Sequence, residues 1–284
     1  MFDITASIVA FRNDEEVLLK AIESFSNCGL AVYLYIIDNS PTDVLRKICE
    51  RRNVEYIFNK KNLGFGAGHN IAIDKMIGRT KYSLILNPDV YFDQGTIEKL
   101  FRFMENQKDV GLIMPKVLYP DGRIQYLCRL LPSPCDLLLR KIEIKALSLL
   151  FNSRKSRYEL KFADYNQQMD VPYLSGCFMF IRTETFKKVG VFDERFFIYL
   201  EDVDLSRRIN KVYRNVYFPE AAVYHGYERG SNKYFKLFIE LAVSGIRYFN
   251  KWGWFFDQDR KLINSTALSR LKKKGNDSAT SPAQ

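Results

Sequence analysis

The stretch Tyr82-Ser-Leu-Ile-Leu-Asn-Pro-Asp-Val-Tyr-Phe-Asp93 decides how the chain reads. Residues 82–86 are an apolar run of strand length that stops at Asn87-Pro88-Asp89. Proline cannot continue a central ladder, so the chain leaves the sheet there and Asp89 falls just past a buried strand. In an open α/β sheet that edge is where ligands bind. A carboxylate there suits a Mg²⁺ or Mn²⁺ that also holds a diphosphate. Taken alone, the tripeptide reads more simply as a polar turn. The other strand ends change that balance.

Working outward, Ile4–Phe11, Val32–Asp38 and Val54–Phe58 read as the first three strands. Asn13 or Asp14 caps a helix over Glu15–Asn27, and Pro41 and Asp43 open a short helix to about Arg51. A helix is expected over 71–78. Helix Gly95–Asn106 and strand Val110–Met114 close this half. Strands alternating with helices imply right-handed crossovers and a mostly parallel sheet. Asp38 ends strand two, where an acid can take hydrogen bonds from a nucleotide base or ribose. Arg12 and Asn13 follow strand one. Three strand ends thus converge on one rim with side chains suited to a nucleotide diphosphate.

The segment Asn59-Lys-Lys-Asn-Leu-Gly-Phe-Gly-Ala-Gly-His-Asn70 is not the dinucleotide fingerprint, because its third glycine falls one residue early and it follows the third strand. Its glycines either bring backbone close to a ligand at a helix N-terminus or make a flexible lead into that helix.

Past Pro115 the pattern changes. Asp121-Gly122 signals a hairpin between Lys116–Tyr119 and Ile124–Cys128. Asp136–Phe151 is a leucine-rich helix with basic residues, placed either to touch an acceptor or membrane or to cover the core. Arg154 to Lys161 reads as a basic linker, and Asp170–Arg182 as a buried strand followed by a helix capped by Thr183. Glu201-Asp-Val-Asp204 opens a helix over Leu205–Lys211. Acids at a helix start are ordinary, yet three in four residues exceed what a cap needs, and a desolvated carboxylate there can serve as a general base. Tyr213–Phe218 and Ala221–Tyr224 read as short strands. His225, one of two histidines, ends the second strand and can complete a metal site with Asp89.

Ser231 starts a long helix to about Asn250 with broad apolar faces. Lys251-Trp-Gly-Trp-Phe-Phe256 adds aromatic residues, and basic residues follow to Lys272-Lys-Lys274. Aromatic plus basic suits an anionic membrane surface; packing on the core or on a second copy in a homodimer reads equally well. The tail 275–284 is expected to be disordered.

At 284 residues and 47% apolar composition the chain can bury a sizeable core. Ile4–Phe11 follows Asp3 without a basic leader, so it reads as a strand and not as a secretion signal. Five scattered cysteines without a Cys-x-x-Cys pair favour reduced thiols in a cytoplasmic setting. A net charge of +10 predicts an anionic partner. No nucleic-acid motif accompanies it, so nucleic acid is not expected.

In this order, Ile-Val-Ala-Phe11, Ile-Ile-Asp38-Asn-Ser, Asn62-Leu-Gly-Phe-Gly-Ala-Gly-His-Asn70, Leu-Asn-Pro-Asp89, Leu-Ser-Gly-Cys-Phe-Met-Phe-Ile-Arg182 and Phe-Phe-Ile-Tyr-Leu-Glu-Asp-Val-Asp204 resemble the inverting glycosyltransferase family 2 over residues 4–230. The closest resemblance within it is to bacterial rhamnosyltransferases of O-antigen and related polysaccharides. It rests on Arg129-Leu-Leu-Pro-Ser-Pro134, the strand 173–182 and the His225 segment.

The resemblance implies an α/β protein of the GT-A fold, with a Rossmann-like, mostly parallel central sheet flanked by helices. Residues 1–230 would be the transferase domain, split into a nucleotide-binding half (1–114) and an acceptor half (115–230). Residues 231–274 would be a basic amphipathic helical extension. It implies a nucleotide-sugar donor bordered by Phe11, Arg12, Asp38, Asn62, Gly64, Asn87 and Asp89. A divalent metal would sit on Asp89 and His225, with Asn87 standing where the family's first metal-motif aspartate usually is. Asp202 would be the base, supported by Glu201, with Asp204 supporting it or holding the acceptor. Donor and acceptor would be dTDP-L-rhamnose and a polyprenyl-diphosphate glycan at the inner face of the plasma membrane. A galactosyl, glucosyl or N-acetylglucosaminyl donor, or a catalytically idle binding protein, are the alternatives.

Overall fold

A computed structural model of the chain describes residues 2–139, 145–226 and 235–279. In the first half, β1 (Phe2–Ala10), α1 (Glu15–Ser26), β2 (Val32–Asp38), α2 (Arg46–Cys49), β3 (Val54–Phe58), α3 (Phe65–Met76) and β4 (Thr80–Leu86) alternate as the apolar runs predict. β5 (Val90–Tyr91), α4 (Thr96–Asn106) and β6 (Val110–Leu118) follow. The second half holds β7 (Cys128–Arg129), α5 (Pro134–Leu139), α6 (Lys145–Tyr158), β8 (Met169–Asp170), β9 (Tyr173–Leu174), β10 (Phe178–Arg182), α7 (Glu184–Val189), α8 (Glu201–Asn210) and β11 (Arg214–His225). Helices α9 (Phe235–Trp252) and α10 (Gln258–Ala279) complete it.

The main sheet runs β3-β2-β1-β4-β10-β6-β11-β5, with β8 on β11. β1, β2, β3 and β4 are mutually parallel, as are β6 and β11. β10 lies antiparallel between β4 and β6 and joins the halves. Central strands buried on both faces, such as β4 and β10, carry the near-continuous apolar runs that set them in the middle. The C-terminal ends of β1, β2 and β4, and the N-terminal end of antiparallel β10, form the rim where the polar residues collect.

Several expectations are corrected. α3 starts at Phe65, inside the glycine segment. Gly64 has φ +87°, and a Cβ on it would lie 2.2 Å from the Phe197 carbonyl oxygen. A Cβ on Gly66 or Gly68 would press on Phe192 or Val9. These glycines serve close packing and not flexibility. The Asp121-Gly122 turn exists, closed by Tyr119 N–H to Arg123 O (2.7 Å), but it leads to a single bridge, Leu118 to Ile124, and not to a hairpin. Arg154–Tyr158 is helical and not a linker, since Arg154 Nε donates to Asp136 Oδ1 (2.8 Å).

The 170–182 run is three short strands, interrupted at Pro172 and Ser175–Cys177. Thr183 gives no side-chain cap; its hydroxyl pairs with Ser83 Oγ at 2.9 Å. β11 is one strand with a register shift between Phe218 and Ala222, which absorbs Pro219. The helix of the three acids starts at Glu201, not at Leu205. α10 reaches Ala279, so the start of the expected disordered tail is helical. Residues 140–144 of the leucine-rich stretch, the Ser231 helix start and the 230/231 boundary lie outside the described residues.

Candidate active site

The exit from β4 makes one corner of the site. Asn87 N–H donates to Cys177 O (2.9 Å), and β5 then pairs antiparallel with the end of β11, setting His225 opposite Val90. His225 Nε2 comes to 3.5 Å from Asp89 Oδ1 and 3.3 Å from Asn87 Nδ2. On the other side of the ring, Nδ1 is 3.0 Å from Gln125 Oε1. Gln125 is anchored by its own amide, which donates to His225 O (2.8 Å). An amide oxygen can only accept, so Nδ1 carries a proton, and Nε2 is the ring nitrogen turned to Asp89. A carboxylate and an oriented imidazole nitrogen are a donor set for Mg²⁺ or Mn²⁺, and the Gln125 contact is the outer support such a histidine needs. No group of three or more His, Cys, Asp or Glu is placed to hold a metal among the described residues. The protein would supply two ligands, and diphosphate oxygens the rest, which is how Mg²⁺ usually sits on nucleotides.

A second corner gathers at the ends of β1 and β2. Asn39 N–H donates to Ala10 O (2.8 Å), and Arg12 N–H to Ser40 Oγ (2.8 Å). Asn39 Nδ2 donates to Gly64 O (3.1 Å), while Asn62 Oδ1 accepts from Gly64 N–H (3.0 Å). Phe11, Arg12, Asn62 and Gly64 therefore share one edge. Phe11 is exposed, with the Arg12 guanidinium 5.4 Å from its ring centre. Asp38 behaves differently from expectation. It is fully buried, and its oxygens accept from Ser40 N–H (2.8 Å) and the Tyr56 hydroxyl (2.6 Å). It shapes the turn, and a donor meets it only if a side chain such as Tyr56 moves.

The third corner is the start of α8. Tyr199 and Leu200 have φ +72° and +67°, a rare pair of left-handed residues directly before Glu201. Asp202 is fixed at both oxygens. Oδ2 accepts from the Tyr173 hydroxyl and from Gly176 N–H, each at 2.9 Å, and Oδ1 accepts from Val203 N–H at 2.8 Å. Glu201 is buried, and its Oε2 has no hydrogen-bond partner among the described residues. Burial first, and the Asp202 charge second, push its carboxyl well above the usual range. The shift favours the uncharged form of Glu201 beside the Asp202 carboxylate. Asp204 is corrected outright. It is 0% exposed and is consumed by Arg208 Nε (2.8 Å), Lys251 Nζ (2.7 Å) and Trp252 Nε1 (2.8 Å).

Segment 175–177 joins the corners. Gly176 N–H holds Asp202, and Cys177 O holds Asn87. Burial pushes the Cys177 thiol up to about 12, so it stays a neutral packing group. Gln125, Tyr173 and Gly176 were not singled out from sequence. His69, the other histidine, is fully buried against Ser7 Oγ (2.8 Å) and Phe65, and is structural.

A mixed sheet of this order, with polar residues gathered on one rim, is the arrangement of the GT-A fold. The profile of Glycosyl transferase family 2 matches residues 7–190. The chain belongs to that family. It is 30% identical over 208 residues to the N-acetylglucosaminyl-diphospho-decaprenol L-rhamnosyltransferase of Mycobacterium tuberculosis, covering 68% of this chain and 66% of that protein, just under two thirds of its length. It is 23% identical over 252 residues to the rhamnosyltransferase WbbL of Escherichia coli, covering 85% of this chain and 90% of WbbL. Among solved structures, GalNAc-T7 with UDP, GalNAc and Mn²⁺ superposes with a TM-score of 0.60 at 13% identity, covering 89% of this chain and 50% of that one. That likeness speaks for the fold. No described helix is long and apolar enough to cross a membrane.

Proposed function

We propose that this glycosyltransferase is an inverting rhamnosyltransferase that moves L-rhamnose from dTDP-L-rhamnose to a polyprenyl-diphosphate-linked glycan in cell-surface polysaccharide synthesis. It would work as a peripheral protein on the inner face of the bacterial plasma membrane. The observation that carries the reading is the Asp202 carboxylate, held by three donors across the 175–177 bridge from Asp89 and His225. The similarity to the mycobacterial and WbbL proteins supports the sugar and the acceptor class.

Asp202 takes the proton of the acceptor hydroxyl. The acceptor oxygen bonds to the anomeric carbon from the face opposite the diphosphate, and the bond to the diphosphate breaks with its electron pair leaving on the diphosphate. Arg12 and Phe11 border the nucleotide, Asn62 and Gly64 set the backbone against it, and Asp38 keeps the Asn39–Ser40 turn in shape. Asn87 and Gln125 orient His225. A divalent metal bound at Asp89 and His225 would neutralise charge on the departing diphosphate.

The test is a transfer assay with purified protein, Mg²⁺ or Mn²⁺, a panel of dTDP-, UDP- and GDP-sugars, and N-acetylglucosaminyl-diphospho-polyprenol. Transfer from dTDP-L-rhamnose is expected, with inverted anomeric configuration. Transfer from a UDP-sugar alone would keep the enzyme class and overturn the donor.

A further inference from the structure

α9 has two unlike faces. One grips the segment that leads into α8. Ser244 Oγ donates to Ile198 O (2.8 Å), and the Arg247 guanidinium donates to Arg195 O. Lys251 Nζ reaches Asp193 Oδ2 (2.8 Å) and Asp204 Oδ1 (2.7 Å), and Trp252 Nε1 also bonds Asp204. The opposite face carries Phe238, Ile239, Ala242 and Ile246 at helical spacing, and Ile246 is 50% exposed. Trp254 Nε1 donates to Asn250 Oδ1 (2.8 Å), which carries the stripe on into Trp254-Phe255-Phe256. Phe255 is 67% and Phe256 93% exposed. A surface helix ordinarily turns its apolar side to the core. An exposed apolar patch of this extent marks an interaction site.

We propose that this stripe and the aromatic loop 254–256 dock on a lipid bilayer carrying anionic headgroups, and that α9 thereby ties the base-bearing segment to the membrane. Charge selects the occupant. The chain carries +10, Arg247 and Lys261 are exposed on the helices that flank the aromatic loop, and Lys272 and Lys273 are exposed further along α10. A two-fold related second copy would set these cations against their own counterparts. An anionic headgroup layer meets them with opposite charge, and aromatic side chains suit its interface. The value of such docking to the enzyme rests on the lipid-linked acceptor proposed above; the docking itself rests on the patch.

The test is flotation of the full chain with vesicles of equal parts phosphatidylcholine and phosphatidylglycerol, and with pure phosphatidylcholine vesicles. No donor or acceptor is present, so the outcome is independent of which sugar is transferred. Co-flotation with the anionic vesicles is expected, weakened by high salt, and about tenfold weaker or more in the Phe255→Ser/Phe256→Ser double variant. On a water-soluble acceptor analogue that variant should turn over like the parent. Equal flotation of variant and parent would overturn the proposal. So would a concentration-dependent dimer in sedimentation that the double substitution abolishes, because the patch would then be a subunit interface.

Discussion

Gln125 is the least conspicuous residue of the site and its removal is informative. Its amide accepts from one side of His225 and donates to the His225 carbonyl. In the Gln125→Leu variant the imidazole loses its tautomer and its aim at Asp89. Metal-dependent donor affinity should fall by about 10- to 100-fold, read by titrating metal against nucleotide binding, with the melting temperature nearly unchanged. Retained metal affinity would remove Gln125 from the site. Sequence made Asp89 and His225 legible because each ends an apolar strand run, which fixes its height on the rim. Gln125 and Tyr173 were not legible. Gln125 is carried on β6 by its N–H to Val117 O, and β6 meets the His225 strand through the β6–β11 pairing, while Tyr173 arrives through β7–β9; these pairings join segments far apart in the chain, and no local periodicity encodes them. Asp204 was misread for the complementary reason: beside two acids at a helix start it looks like part of a set, while two of its three partners, Lys251 and Trp252, lie almost fifty residues downstream.

The C-terminal helices show how an extension can belong to the catalytic unit. Arg207 in α8 pairs with Asp257 through two bonds of 2.6 Å, both side chains nearly fully buried, under the Trp252 ring at 4.1 Å. Asn264 of α10 closes a second link, accepting from Leu131 N–H and donating to Leu131 O, each at 2.9 Å. Removing one partner of a buried ion pair leaves the other charge stranded, so Asp257→Ala should cost about 3–5 kcal/mol of unfolding free energy in urea titration. A change below about 1 kcal/mol would show that the helix pair is not integral to the fold. The apolar faces of α9 were legible from spacing, but which face meets the protein was not. The polar residues of the gripping face bind acids and carbonyls of the 193–204 segment, and hydropathy does not reveal that. The glycine segment was misplaced similarly, since glycine in sequence signals freedom, whereas here Gly66 and Gly68 admit α3 against Phe192 and Val9.

Over the whole molecule the alternation of strands and helices was sufficient to give the sheet, and the breaks at Pro172 and Pro219 were where long-range pairing overrode local pattern. Stability should carry the mark of His69. Burial lowers its pKa to about 3, against about 6.5 when unfolded. Between those values the unfolded chain binds a proton that the folded chain refuses. Stability from this group is therefore full above pH 6.5 and is lost as pH falls, by about 1.4 kcal/mol per unit. Urea unfolding from pH 7 to pH 5 should show this slope, and a His69→Gln variant that still folds should have a flatter one. An unchanged slope in that variant would place the acid sensitivity elsewhere.

The central claim is that Asp202 removes the acceptor proton, and the most direct measurement is turnover and donor binding of Asp202→Asn side by side. Asparagine keeps the shape of the side chain and one of its two accepting oxygens, and loses its basicity. Turnover should fall by about 10²–10⁴ while donor-nucleotide affinity, read by calorimetry, stays within about twofold of the parent. Parental turnover in Asp202→Asn would contradict the assignment.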